Sequence, residues 1–195
     1  MAKVPREIFS GPKVRPLLFR KYLREANAAG VKQTTRRIIT ADNSEVQPGT
    51  FEGLRLETGR ARPYQPRPEL RAQCVFESGR VRVVSVFPTV KPGDLFWSKA
   101  GRFGARNAST QTLRVMRVRL GRVQDMTEAD AVLEGVAFLP KRFAARGHDP
   151  RVMFGMLWND INGDHSWAEN PWVWIYDYHA FDMNIDAYLA EYGTK

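Results

Sequence analysis

The sequence predicts an α+β fold in which short helices are set among strands of a small, barrel-like mixed sheet. Three observations predict it. Val81 to Phe87, Thr110 to Val123 and the run PWVWIYDYHAF alternate apolar and polar residues as half-buried strands do. Between them lie short helical segments with recognisable starts and stops. No βαβ unit repeats and no dinucleotide fingerprint occurs, which excludes a Rossmann domain. With 195 residues, 43% of them hydrophobic, the chain can bury one substantial core, so residues 1–195 read as one domain.

Taken in order, residues 5–12 form an entering loop punctuated by Pro5, Gly11 and Pro12. Residues 13–28 are predicted as a helix, with Pro16 tolerated in its first turn and Gly30 as its stop. Val14, Leu17, Leu18, Tyr22 and Ala26 would share its core stripe, while Arg15, Arg20, Lys21 and Arg24 stay wet. PGTFEGLRLETG has room for a short strand through Leu54 and Leu56. RPYQPRPEL suits no regular element, and residues 57–80 read as a variable loop or insertion. After the strand at Val81, the turn Pro92-Gly93-Asp94 precedes a second apolar segment, Leu95-Phe96-Trp97.

Thr110 to Val123 is predicted as a long strand with a bulge, because Leu113 and Val115 fall out of phase with Val118 and Leu120. In MTEADAVLEGV, Thr127 caps a brief helix with Asp130 three positions on, and Gly135 closes it. Asp149-Pro150 starts another helix carrying Met153, Met156, Leu157 and Trp158, and Gly163 ends it. The final strand puts Trp172, Trp174, Tyr176 and Tyr178 on one face. Most of this aromatic bulk, with Trp158, Trp167 and Trp97, reads as core, although one ring can stack on a base.

Charge is unevenly spread. The formal net charge of +9 divides into +16 up to Arg122 (25 basic, 9 acidic) and −7 beyond it (5 basic, 12 acidic). Residues 99–122 hold seven Lys/Arg and no acid. A field of this kind favours a polyanion at one face, so RNA, a nucleotide or a modified nucleoside is the expected partner, and no obligate protein partner is inferred. No apolar window is long enough to span a membrane, and the N-terminus lacks an apolar signal core. Cys74 is the single cysteine, which excludes an internal disulfide and fits cytoplasmic folding. His148, His165 and His179 have no metal-ligand spacing, so neither a metal nor a cofactor is expected. His148 beside Asp149 reads as part of a cap.

The chemistry-bearing stretch is VKQTTRR. On a helical or tight turn, Lys32 and Thr35 fall on one side, whereas a straight strand sends them to opposite faces. A desolvated lysine near other cations can lose its proton and act as a base, and a threonine hydroxyl needs such a base before it attacks. Arg36 or Arg37 can instead grip a phosphate with two parallel bonds. A third reading is a cationic junction in which Thr35 only bonds the backbone. Glu134, at the unfavourable end of its helix dipole, would be relieved by a lysine partner.

Taken together, SGPKV, GVKQTTRRI, KPGDLFW, MTEADAVLEGV, and LWNDING followed by NPWVWIYDY resemble the ASCH-domain family of the PUA-like superfamily, in its phage and prophage branch. The blocks run in the expected order from about residue 7 to 178. The resemblance implies a small PUA-like mixed β-barrel with short flanking helices and an RNA- or nucleotide-facing cleft. One branch of the superfamily removes the acetyl group from N4-acetylcytidine. Its catalytic lysine and threonine fall on Lys32 and Thr35, its glutamate on Glu134, and the arginine behind the threonine on Arg37, with a role at the oxyanion. Other members resemble ribonucleases or noncatalytic RNA binders, so those remain the alternatives. The phage branch shows tryptophan, arginine, glutamate and a further aromatic where this chain has Trp97-Ser98-Lys99-Ala100-Gly101-Arg102. Ala100 replaces the acid and Arg102 the aromatic. The rim becomes more basic, which makes Lys99 and Arg102, with Arg36 and Arg37, the expected substrate or nucleic-acid contacts.

Overall fold

The computed structural model describes residues 11–39, 70–75, 81–144 and 149–193. Its elements are β1 (Val14–Leu18), α1 (Lys21–Ala28), β2 (Thr34–Ile38), β3 (Leu70–Val75), β4 (Val81–Val86), β5 (Leu95–Lys99), β6 (Thr112–Arg122), α2 (Glu128–Leu133), α3 (Lys141–Ala144), α4 (Pro150–Asn162), β7 (Trp172–Phe181) and α5 (Ile185–Tyr192). Among the described residues five strands form one mixed sheet in the order β1-β5-β6-β7-β2, and β3 and β4 form a separate pair. β1 runs parallel to β5; the other neighbours are antiparallel. The α+β class is thus as expected.

The barrel is not closed, because β1 and β2 are opposite edges of this sheet among the described residues. The edges nevertheless meet through a side chain: Arg37 Nη2 on β2 donates to the Leu18 carbonyl of β1 at 3.1 Å. The sheet therefore curls until its borders face one another across a gap, and that gap is where the site lies.

Residues 13–28 are not one helix. Pro16 sits on the exposed edge strand β1, opposite Trp97 of β5, where a missing N–H is tolerated. The helix starts only at Lys21. The apolar spacing of Leu17 and Leu18 fits either element, and β1's partner is some eighty residues away. β3 occupies part of the stretch expected to be a loop, α5 was not anticipated, and the expected strand at Leu54 and Leu56 lies outside the described residues, as does His148.

The bulge in β6 is real. Val115 pairs with Tyr178 and Arg117 with Tyr178's neighbour Asp177, leaving Met116 as the extra, exposed residue. Its insertion lets Leu113, Val115 and Val118 all reach the main core. That core packs α1, α2 and α4 against the sheet through Leu23, Ala131, Phe154 and Trp158, and it takes residues from both faces of β7, Val173 and Ile175 as well as Trp174, Tyr176 and Tyr178. A smaller cluster of Leu95, Trp97, Ile185 and Tyr188 holds α5 elsewhere on the sheet. Tyr188 packs on Phe181 at 4.9 Å between ring centroids.

A candidate active site at the gap between the edge strands

Lys32 reaches the core because the chain turns sharply after α1. Gly30 takes φ +69, and the N–H groups of Val31 and Lys32 both donate to the Ala26 carbonyl at 3.0 Å. The Gln33 N–H then bonds the Leu133 carbonyl at 2.9 Å, tying this segment to the end of α2. Strand β2 begins only at Thr34, so Lys32 and Thr35 are not held in one straight strand. They line the same cleft without the helical turn that the spacing suggested.

On the other side, Thr127 and Asp130 close a capping box at the start of α2, with the Asp130 N–H donating to Thr127 Oγ1 at 3.1 Å. Gly135, at φ +87, ends the helix where a Cβ would stand 3.0 Å from Ala26 Cβ and 3.2 Å from Lys32 Cβ. This close approach brings Glu134 beside Lys32. Lys32 is 2% exposed, and its ammonium has an acceptor for each of its three hydrogens: the Thr34 carbonyl at 2.7 Å, the Glu134 carbonyl at 2.9 Å and Glu134 Oε2 at 2.7 Å. A cation thereby covers the carbonyl end of α2.

Glu134 holds a second cation. Arg36 Nη1 donates to Oε1 at 3.1 Å, and Arg36 Nη2 lies 3.6 Å from Asp130. Asp130 in turn lies 3.6 Å from Arg119, which bonds Asp177 at 2.8 Å, and Asp177 also accepts from Arg117 Nε at 2.6 Å. The ionic chain runs from the outside of β6 to the floor of the cleft. Burial pushes the Lys32 ammonium below the ordinary lysine value, Glu134 pulls it back, and Arg37 and Arg36 add to the lowering. Burial lifts the Tyr178 hydroxyl well above its usual range, and the nearby Glu134 charge adds to this; that hydroxyl donates to Asn27 Oδ1 at 2.8 Å. Burial also lowers Arg37, against the pull of Glu134.

The cleft encloses about 730 Å³. Lys32, Thr35, Arg36, Arg37 and Glu134 line it, and so does Arg102 from the turn after β5, so the structure brings six of the seven expected residues together. Lys99, at the end of β5, is not among the lining residues. Arg36 is expected to meet substrate, but its guanidinium is held by Glu134 and Asp130 with only 1% of the side chain exposed. It positions the carboxylate.

Several lining residues were not anticipated. Arg20, Lys21 and Arg24 are expected on a wet helix face, yet they enter the wall, Arg20 from the two-residue link between β1 and α1 and the other two from the first turn of α1. Phe154, Leu157, Trp158 and Ile161 of α4 supply an apolar wall opposite. The basic balance up to Arg122 includes the first group without singling it out, and nothing local marks α4 as a wall. Among the described residues, no group of three or more His, Cys, Asp or Glu is placed to hold a metal ion, and no helix is long and apolar enough to cross a membrane.

Seven cations and one carboxylate therefore line a cleft with an apolar side, a combination suited to an anionic ligand that also carries a flat, hydrophobic part. No family model matches this chain, and no curated protein or solved structure matches it.

Proposed function

We propose that the protein is a PUA-like, phage-type ASCH domain that binds a nucleotide or RNA segment and hydrolyses the amide of an N4-acylated cytidine. The observation that carries this reading is that Glu134, 102 residues from Lys32, lines one cleft with Lys32 and Thr35, with Lys32 Nζ 2.7 Å from Glu134. On this reading, Lys32 in its unprotonated form takes the Thr35 hydroxyl proton. Thr35 Oγ1 bonds to the acyl carbon, the oxyanion is stabilised beside Arg37, and the carbon–nitrogen bond breaks as the leaving amine takes a proton from Lys32. Water then cleaves the acyl-threonine ester, regenerating the hydroxyl and releasing the carboxylic acid. Glu134 orients Lys32 through the short ionic bond. The basic wall receives the phosphate and the α4 wall receives the base.

The test is release of cytidine from N4-acetylcytidine, its 5′-monophosphate and a short acetylated RNA, with K32A, T35A and E134A in parallel. Turnover by the wild type, lost by about 10³-fold or more in T35A while ligand binding persists, is the expected result. Absence of turnover on all three substrates by a folded protein sinks the hydrolase. A noncatalytic RNA-binding module is the second reading, favoured by the fact that all three Lys32 hydrogens already have acceptors. Salt-dependent RNA binding without turnover selects it.

A further inference from the structure

Next in sequence to Arg102 of the cleft wall, Phe103 is 92% exposed, by far the most exposed large hydrophobic residue among those described. Its position is built rather than slack. Gly101 takes φ +83, and the Gly104 N–H returns to the Gly101 carbonyl at 3.3 Å. A Cβ at Gly104 would meet the Ala100 carbonyl oxygen at 2.9 Å, so this turn needs its glycine. Downstream, Asn184 Nδ2 donates to the carbonyls of Asn107 and Ser109 at 3.0 and 2.9 Å, and Arg106 pairs with Asp186 at 2.7 Å. The segment is pinned at its base and projects an aromatic ring at its tip.

The same turn contributes Ala100, Gly101 and Arg102 to the cleft wall. The Arg102 guanidinium lies 5.8 Å from the Phe103 ring centroid. We propose that Phe103 is a stacking platform for a nucleobase flanking the one in the cleft, with Arg102 holding the intervening phosphate, so that the partner is single-stranded RNA rather than a free nucleoside. This rests on the nucleotide reading of the cleft and extends it to the substrate's length. An exposed ring beside cations suits an unpaired base joined to a phosphate, whereas a duplex keeps its base faces covered. A second copy of the chain in a two-fold contact would bring the same cations against these and be repelled.

The experiment compares full-length wild type, F103A and F103W by fluorescence anisotropy on a labelled ten-nucleotide single-stranded RNA, with cytidine monophosphate as competitor. Thermal melts establish that each variant is folded. F103A should weaken oligonucleotide binding by about 5- to 150-fold, the range for losing one base–aromatic stack, while F103W retains it and the monophosphate competes for both equally. Equal RNA affinity of F103A and wild type overturns the platform. Tighter binding of single-stranded DNA of the same sequence overturns RNA as the occupant. RNA binding lost in F103A by a protein that releases no cytidine supports the platform and removes only the hydrolase. A wild type that binds no RNA overturns both.

Discussion

At the scale of the residue, the buried ion cluster decides which variants are informative. Removing Lys32 leaves Glu134 with Arg36 alone in a dry interior, and breaking such a pair costs about 3–5 kcal/mol. K32A should therefore melt well below wild type, and its lost activity would not isolate a chemical role. Thr35→Ala leaves every ionic bond in place and should change stability by no more than about 1 kcal/mol in a urea titration. It is the cleaner test of the nucleophile. If the Lys32 amine is the base, kcat/KM rises with pH as it loses its proton and is lost as pH falls. Because the folded value lies below 10.5, the midpoint of that limb should fall below 10.5, and E134Q, which removes the charge that favours the ammonium, should move it lower still. The lysine–threonine spacing was legible in the sequence. The commitment of Arg36 was not, since its partner Glu134 lies 98 residues away and no local pattern records that pairing.

Among the elements, α2 links local sequence signals to the site. Its two ends predict two different outcomes. Thr127→Ala removes the capping hydroxyl at the end remote from Lys32, at about 1 kcal/mol, with little effect on the cleft. Gly135→Ala forces a left-handed conformation on a residue with a side chain and drives its Cβ into Ala26 and Lys32. A loss of at least about 2 kcal/mol is expected from the two effects together, with displacement of Lys32 and loss of ligand binding. Denaturant unfolding of both variants, with ligand titration beside it, checks the contrast. These caps were readable because capping is local chemistry: Thr127, Gly135, Asp149-Pro150 and Gly163 each act within a turn of their own helix. The bulge in β6 was readable for a related reason, a phase change within one strand. β1 was misread because an edge strand with Pro16 is defined by its distant partner β5.

On the scale of the whole molecule, the sequence carried the α+β class and a basic face but not the openness of the sheet, which depends on how far two edges curl before a side chain bridges them. The same distribution of charge makes the fold sensitive to acid. Asp130 and Asp177 connect Arg36, Arg117 and Arg119, and through them β2, α2, β6 and β7. Burial acts to raise both carboxyls, but hydrogen bonds from Thr127 onto Asp130 and from Arg119 and Arg117 onto Asp177, with the arginine charges, hold both below 3.8. A carboxylate whose folded value is depressed binds fewer protons when folded than when unfolded. Its stabilisation is complete above the unfolded value of 3.8 and disappears as pH falls through the lower folded value. Wild type should therefore lose stability steeply below about pH 4, where unneutralised arginines also repel one another. Asp177→Asn should lower stability by about 1–2 kcal/mol at pH 7, the discount reflecting partial solvent access, and should lose less than wild type between pH 5 and pH 3. Urea unfolding at these three pH values measures both effects. An acid dependence identical to wild type would show that Asp177 titrates alike in the folded and unfolded chains, and the ionic chain would then be a surface feature without a part in holding the four elements together.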